Sequence, residues 1–303
     1  MARTKSTPIR ESFASRAFDV GNGILMVLLA LVTLGPFVYL ILGSVTQSVY
    51  YRQVGVSLSP AHWTFASYEV LLSTGSRLFQ ALKISLFVTT VGTFLGLAVT
   101  SSLAYVTSKK ELPGHDVLIF FIFFTMLFSG GMVPFYLVIR TLGMTDTVWA
   151  MIIPFMSDAW YLLIMVKFFD SLPQELQDSA RIDGCTEIGI FFRIVLPLSR
   201  PVLATIGLFF AVYFWNDWFW PMILIQQSHL LPLQQVLRNI LSQLMPVLNP
   251  QAAKEQARLA AEMPPMEVLR MAAIIVTVLP ITLVYPFLQR YFVKGVMIGA
   301  IKG

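Results

Sequence analysis

Two polar clusters interrupt an otherwise apolar chain. The first is Asp178-Ser179-Ala180-Arg181-Ile182-Asp183-Gly184-Cys185, followed by Phe191, Ile194, Leu196-Pro197 and Pro201. Ser179 and Ala180 are small, so another protein surface can approach the backbone closely there. Asp178, Arg181 and Asp183 offer charged contacts. This is the chemistry of recognition, not of bond-making. The second cluster is Tyr213-Phe214-Trp215-Asn216-Asp217-Trp218-Phe219-Trp220-Pro221. Aromatic faces stack on the C–H faces of a sugar, and amide and carboxylate groups bond its hydroxyls. Tyr213, Trp215, Asn216, Asp217 and Trp218 are therefore candidates for a substrate path. The same residues fit an aromatic belt at a membrane interface, and both readings stay open. No nucleophile–base constellation lies inside an apolar run, so no catalytic residue is expected. No lysine follows a glycine, so the chain has no phosphate-cradling Walker loop. His62, His115 and His229 show no ligand spacing, and no metal site is expected.

The elements that position these clusters follow from composition. The 303 residues are 56% hydrophobic and 12% charged, with mean hydropathy +0.74. A soluble domain would carry about 25% charged residues. The excess sits in long runs, which predicts an all-α polytopic membrane protein; a β-barrel would show short alternating segments. A chain this apolar is not expected to bind nucleic acid, and its surroundings are membrane lipid. A single cysteine, Cys185, excludes an intrachain disulfide. Six spans are expected near 21–44, 82–107, 117–139, 148–166, 202–225 and 271–288. Residues 1–18 read as a tail, 19–76 as the first span with its outer loop, 77–290 as a five-span core with a polar loop at 167–200, and 291–303 as a second tail. With the N-terminus inside, thirteen lysines and arginines fall inside and eight outside. That bias places both termini and the 167–200 loop in the cytoplasm.

Inside the loop, Ser171-Leu172-Pro173-Gln174 has capping-box spacing, predicting a helix from Leu172 to about Ile182. Asp183-Gly184 ends it, and a second helix runs from about Thr186 to Pro197. Asp158 and Asp217 are acids inside spans, where an exposed charge is costly, so each is expected to face protein or water. Pro154 and Ser157 suggest a break before Asp158. Ser129-Gly130-Gly131 interrupts the third span. Gly92-x-x-x-Gly96 permits close helix packing. In the outer segment, 231–238 has amphipathic spacing, and 251–262 reads as a surface helix.

The first cluster resembles the EAA loop of ABC-importer permeases: Asp178-Ser179-Ala180 stands for Glu-Ala-Ala, and Cys185 for the small residue after Asp183-Gly184, with Phe191 and Pro197 at their offsets. The C-terminal run Tyr285-Pro286-Phe287 through Gly303 and the Pro232–Leu241 run resemble carbohydrate-importer permeases of the MalG type, in the subgroup named after LplC. The resemblance implies a type I ABC-importer permease fold with six transmembrane helices in a bacterial cytoplasmic (inner) membrane. It implies a non-catalytic chain that imports an oligosaccharide. Its expected partners are a second permease subunit, two ATPase subunits that bind ATP and Mg, and an extracytoplasmic solute-binding protein. Asp178, Ser179, Ala180, Asp183, Gly184, Cys185, Phe191 and Pro197 would couple to the ATPase. Gly299, Lys302 and Gly303 would lie in a tail that senses nucleotide state. The subgroup suggests plant or algal oligosaccharides, and Arg52, Arg77 and Arg238 outside favour an acidic one, such as alginate or pectin-derived oligomers. The rivals are an ion-gradient-driven secondary transporter, which would show ionisable residues near the midplane and inverted repeats, and an intramembrane enzyme.

Overall fold

The computed structural model describes residues 13–242 and 264–300, with side chains over 15–242 and 264–284. Among the described residues the secondary structure is helical, apart from one isolated antiparallel bridge between Thr46 and Trp63. Two compact units divide these residues: 13–67 with 264–275, and 68–242 with 276–300.

In the first unit, α1 (Phe13–Val45) is 33 residues long, roughly 50 Å. It begins inside the segment expected to be a tail. From residue 20 to 39 its leucines, valines and isoleucines are exposed on every side. A helix apolar all round over this stretch is built for lipid, while its end at Gly43-Ser44 is buried. After it, Thr46 stitches a short loop together: its hydroxyl donates to the Leu42 carbonyl at 2.7 Å and accepts from the Ser57 amide at 3.1 Å. Tyr50, in α2 (Ser48–Gln53), stacks on His62 at 4.2 Å between ring centroids.

After a short α3 (Ala66–Leu72), the second unit is organised around α4 (Arg77–Thr107), which Ser76 caps by accepting from the Phe79 amide. Helix α11 (Arg200–Asn216) lies along it. A Cβ on Gly92 would fall 2.7 Å from the Phe214 ring, and one on Gly96 3.0 Å from Phe210. The small-x-x-x-small spacing is thus a pair of sockets for two phenylalanines of α11. Phe210, Ile206, Met165, Ile190 and Val195 are fully enclosed in the resulting core.

Three expected spans are broken. The third is α5 (His115–Leu127) and α6 (Met132–Thr141), bent by 115° across the Gly130-Gly131 break. The fourth is a pair of 3-10 turns (Val148–Met151 and Ile153–Phe155) followed by α7 (Ala159–Asp170) at 46°. The fifth does not run through to residue 225: α11 stops at Asn216, and a separate α12 (Phe219–Leu224) follows. Among the described residues three helices are long and apolar enough to cross a membrane, or up to six if α5 with α6, the 3-10 turns with α7, and residues 187–198 with α11 (bent by 82°) each count as one span. The expected amphipathic element is α13 (Leu233–Ser242); the surface helix expected at 251–262 lies outside the described residues. The last element, α14, runs Met266–Ala300 without interruption.

Candidate functional site

The loop between α7 and α11 starts differently from its expected capping box. The Ser171 hydroxyl turns back and donates to the Phe168 carbonyl at 2.6 Å, closing α7. Pro173, which has no N–H to lose, takes the cap position, and α8 runs Gln174–Ile182. The serine serves the preceding helix because its carbonyls also need partners.

The other end of α8 is as anticipated. The Gly184 amide donates to the Arg181 carbonyl at 3.0 Å and the Cys185 amide to the Ala180 carbonyl at 2.9 Å. This is the Schellman pattern, and it requires the left-handed φ of 83° found at Gly184. Thr186 then caps α9 (Glu187–Ile190) by accepting from the Gly189 amide at 3.2 Å. A π turn (Phe191–Val195), a short α10 (Leu196–Leu198) containing Pro197, and Ser199 lead into α11.

Side chains divide between two jobs. Ile182 is 87% exposed at the tip of α8, and Ile188 and Phe192 are also exposed. These exposed apolar side chains, close together along the loop, offer a face for another protein surface to cover. Phe191 is 7% exposed and its ring lies 5.1 Å from that of Tyr105, so it anchors the loop from within. Cys185 is half-buried. The Ser179 hydroxyl donates to the Glu175 carbonyl, and Ala180 packs on the core. Asp178 faces solvent but pairs with Arg181, Oδ1 to Nη1 at 2.6 Å.

Arg181 also donates through Nε to Glu187 Oε1 at 2.7 Å, and the other Glu187 oxygen accepts from Tyr105 Oη at 2.5 Å. Lys109 Nζ donates to Gln177 Oε1 at 2.5 Å and lies 4.6 Å above the Tyr105 ring. The Arg181 and Tyr105 hydrogen bonds hold the Glu187 carboxyl below its ordinary range. The Arg181 guanidinium is pushed up, chiefly by its bond to Glu187. Burial lowers the Lys109 ammonium. Of these residues only Arg181 stands out in the sequence. Glu187 carries a local signal, an acid in a helix's first turn, but Tyr105 and Lys109 are about eighty residues away in the chain.

The second cluster is gathered at the α11–α12 break, and much of its polarity is spent on the fold. Asp217 caps α12, accepting from the Phe219 and Trp220 amides at 3.1 and 3.3 Å. Asp158 caps α7 in the same way, accepting from the Tyr161 amide at 3.1 Å. Both acids within the expected spans therefore satisfy helix starts where a span is broken. Asn216 donates to the Val212 carbonyl and accepts from Gln234. Trp215 is buried, and its indole N–H has no hydrogen-bond partner among the described residues. Tyr213 packs near Phe155, at 5.7 Å. Trp218 is exposed beneath the Arg238 guanidinium, 3.6 Å from its ring centre. These two residues, with Gln234, Leu237, Leu241 and Ser242, line a cavity of about 490 Å³. Of the third group, Gly299 falls within the backbone of α14, and Lys302 and Gly303 lie outside the described residues.

Residues 84–298 match the family model of the binding-protein-dependent transport system inner membrane component. The chain belongs to this family. Protein LplC of Bacillus subtilis is 41% identical to this permease over 290 residues, covering 96% of each chain. The polygalacturonan/rhamnogalacturonan transport system permease protein YtcP of the same species is 37% identical, covering 95% of this chain and 99% of that one. A crystal structure of a bacterial ABC transporter involved in importing the acidic polysaccharide alginate contains a chain that superposes with a TM-score of 0.85 at 31% identity, over 94% of this chain and 100% of that one. The permease is accordingly an ABC-importer membrane component with the type I importer fold, a non-catalytic subunit whose ATPase is a separate chain and which works with partner subunits. The ion-gradient-driven alternative has no support from the family.

Proposed function

We propose that this permease imports oligosaccharides, with α8 as the helix that docks into an ATPase subunit. The observation that carries the reading is the tip of α8: a nine-residue helix closed by Asp183-Gly184 and presenting a bare Ile182. In this reading Ile182, Ser179, Asp178 and Asp183 face the partner, while Ala180, Gly184, Cys185, Phe191 and Pro197 shape the loop. A second permease, two ATPases and an extracytoplasmic binding protein complete the assembly. Both termini and the 167–200 loop face the cytoplasm. Alternating access follows when ATP closes the partner dimer and the loop is carried with it.

Affinity purification of the chain from its native membrane, with mass spectrometry of what accompanies it, tests this. A second six-span permease and a Walker-motif ATPase are expected; recovery of the chain alone would defeat the reading. The side of the loop is checked with a membrane-impermeant thiol reagent. As the sole and half-buried cysteine, Cys185 should label in inside-out vesicles and not in right-side-out ones.

An acidic oligosaccharide is the favoured substrate. One relative is named for polygalacturonan, and the alginate transporter matches this chain closely. Arg238 over Trp218 pairs a cation with an aromatic face at one cavity, which suits a sugar carboxylate. Equal uptake of uronate and neutral oligomers by the assembled transporter would remove this part of the reading.

A further inference from the structure

Helix α8 is joined to its neighbours by non-helical residues at both ends, Leu172-Pro173 before it and Asp183-Gly184 after it. Such joints let a helix tilt more readily than a continuous one would. A cavity of about 740 Å³ lies between it and the end of α4, lined by Lys109, Gln177, Asp178, Arg181 and Glu187 among others. Of the α8 side chains, among the described residues, only Ala180 packs on the apolar core, so apolar packing ties α8 only lightly. Yet α4 is the helix that holds the Phe210 and Phe214 rings of α11 in its glycine sockets. A push delivered to the end of α4 moves the helices packed along it, because close-packed interiors transmit strain instead of absorbing it.

Among the described residues the side-chain bridges across that gap are polar, and Glu187 joins two of them. One of its carboxylate oxygens takes Tyr105 of α4 at 2.5 Å; the other takes Arg181 of α8 at 2.7 Å. Lys109 to Gln177 runs parallel at 2.5 Å. We infer that Glu187 is a positioning residue for energy coupling: by bridging Tyr105 and Arg181 it latches the docking helix to α4, so that displacement of α8 by the ATPase is delivered to the membrane helices. The inference rests on the proposed docking of α8. A purely stabilising role fits less well, because Arg181 and Glu187 side chains are 40% and 55% exposed, and pairs that exposed add little to folding.

The test is the number of ATP molecules hydrolysed per oligosaccharide imported, measured on the whole complex in proteoliposomes. Glu187→Gln and Tyr105→Phe should each raise that number about threefold or more. The double variant should be no worse than Glu187→Gln alone, since both break one bridge. The exchange Arg181→Glu with Glu187→Arg should recover part of the coupling. Subunit recovery is measured beside each assay. If Glu187→Gln fails to assemble, Tyr105→Phe decides alone, since its ring can keep its place against Phe191. A wild-type complex that couples normally, with wild-type ratios in the assembled variants, would overturn the latch and leave the proposed function intact. Additive losses in the double variant would also overturn it. A wild-type chain that recruits no ATPase would instead overturn the proposed function.

Discussion

At the residue scale, Glu187 and Asp217 show how one carboxylate can serve structure or transmission. Glu187 is held below the ordinary glutamate range by its Arg181 and Tyr105 hydrogen bonds. A carboxyl depressed in the folded state stabilises it above the unfolded value, about 4.3, and the contribution is lost as pH falls through the folded value. The difference in thermal midpoint between wild type and Glu187→Gln should therefore be constant from about pH 8 to 5 and shrink below about pH 4; a difference that changes near neutrality would contradict this. Asp217 separates capping from substrate binding. Asparagine also caps helices, so Asp217→Asn should retain uptake, while Asp217→Ala should lose about 1 kcal/mol of stability. Loss of uptake in a well-folded Asp217→Asn would instead make the charge a substrate contact. For Arg238, replacement by Gln should weaken uronate oligomers about tenfold, near 1.4 kcal/mol, and leave neutral ones unchanged in a competition assay.

At the element scale, the α4–α11 contact and the end of α8 make separate demands on glycine. A side chain on Gly92 must enter the space of the Phe214 ring, whereas Gly21 has nothing within 4 Å of its missing Cβ. Gly92→Leu should cost about 1–3 kcal/mol or more through overpacking, with Gly21→Leu near neutral, read as detergent-solubilised thermal midpoints. At Gly184 the demand is on the backbone. Gly184→Pro removes the amide that bonds Arg181 and forbids the φ of 83°. It should leave the membrane helices folded but uncouple ATP hydrolysis from transport, as should Asp183→Arg on the docking face. Normal uptake by both variants would remove the docking claim. Helix α8 itself was legible because Gly184 marks its end, but its start was misplaced. The Ser171 hydroxyl could accept an amide of the helix ahead or donate to a carbonyl of the helix behind, and local spacing does not say which.

At the scale of the whole molecule, the described surface is incomplete without lipid and partners. Residues such as Val32 and Leu31 of α1 are exposed, as are Phe120 and Phe121 of α5. Apolar helices of this length are stable in a bilayer because every backbone group is bonded within the segment. The broken spans add a requirement, since each break frees amides that need partners within protein. Asp158 and Asp217 meet it at two of them. The Gly130-Gly131 and Pro154–Ser157 breaks were legible from local helix breakers, whereas the α11–α12 break inside 202–225 was not: hydropathy records that a segment is apolar, not that it is straight.

Composition and run length alone established a membrane protein, its approximate spans and the absence of a Walker loop, because transfer from water to hydrocarbon is a sum over residues that needs no neighbours. The resemblance of Asp178–Pro201 named the importer class, since loop contacts to a partner are written in contiguous residues. What only the tertiary structure decided was where distant groups meet. Tyr105 reached Glu187, Phe214 entered the space at Gly92, and Arg238 settled over Trp218. Each of these depends on helix packing, which brings together side chains that no local pattern relates. The two acids within expected spans turned out to be caps: the break before Asp158 was legible from Pro154 and Ser157, but that each carboxylate turns to the amides freed beside it, and not to a cavity, only the folded chain decided.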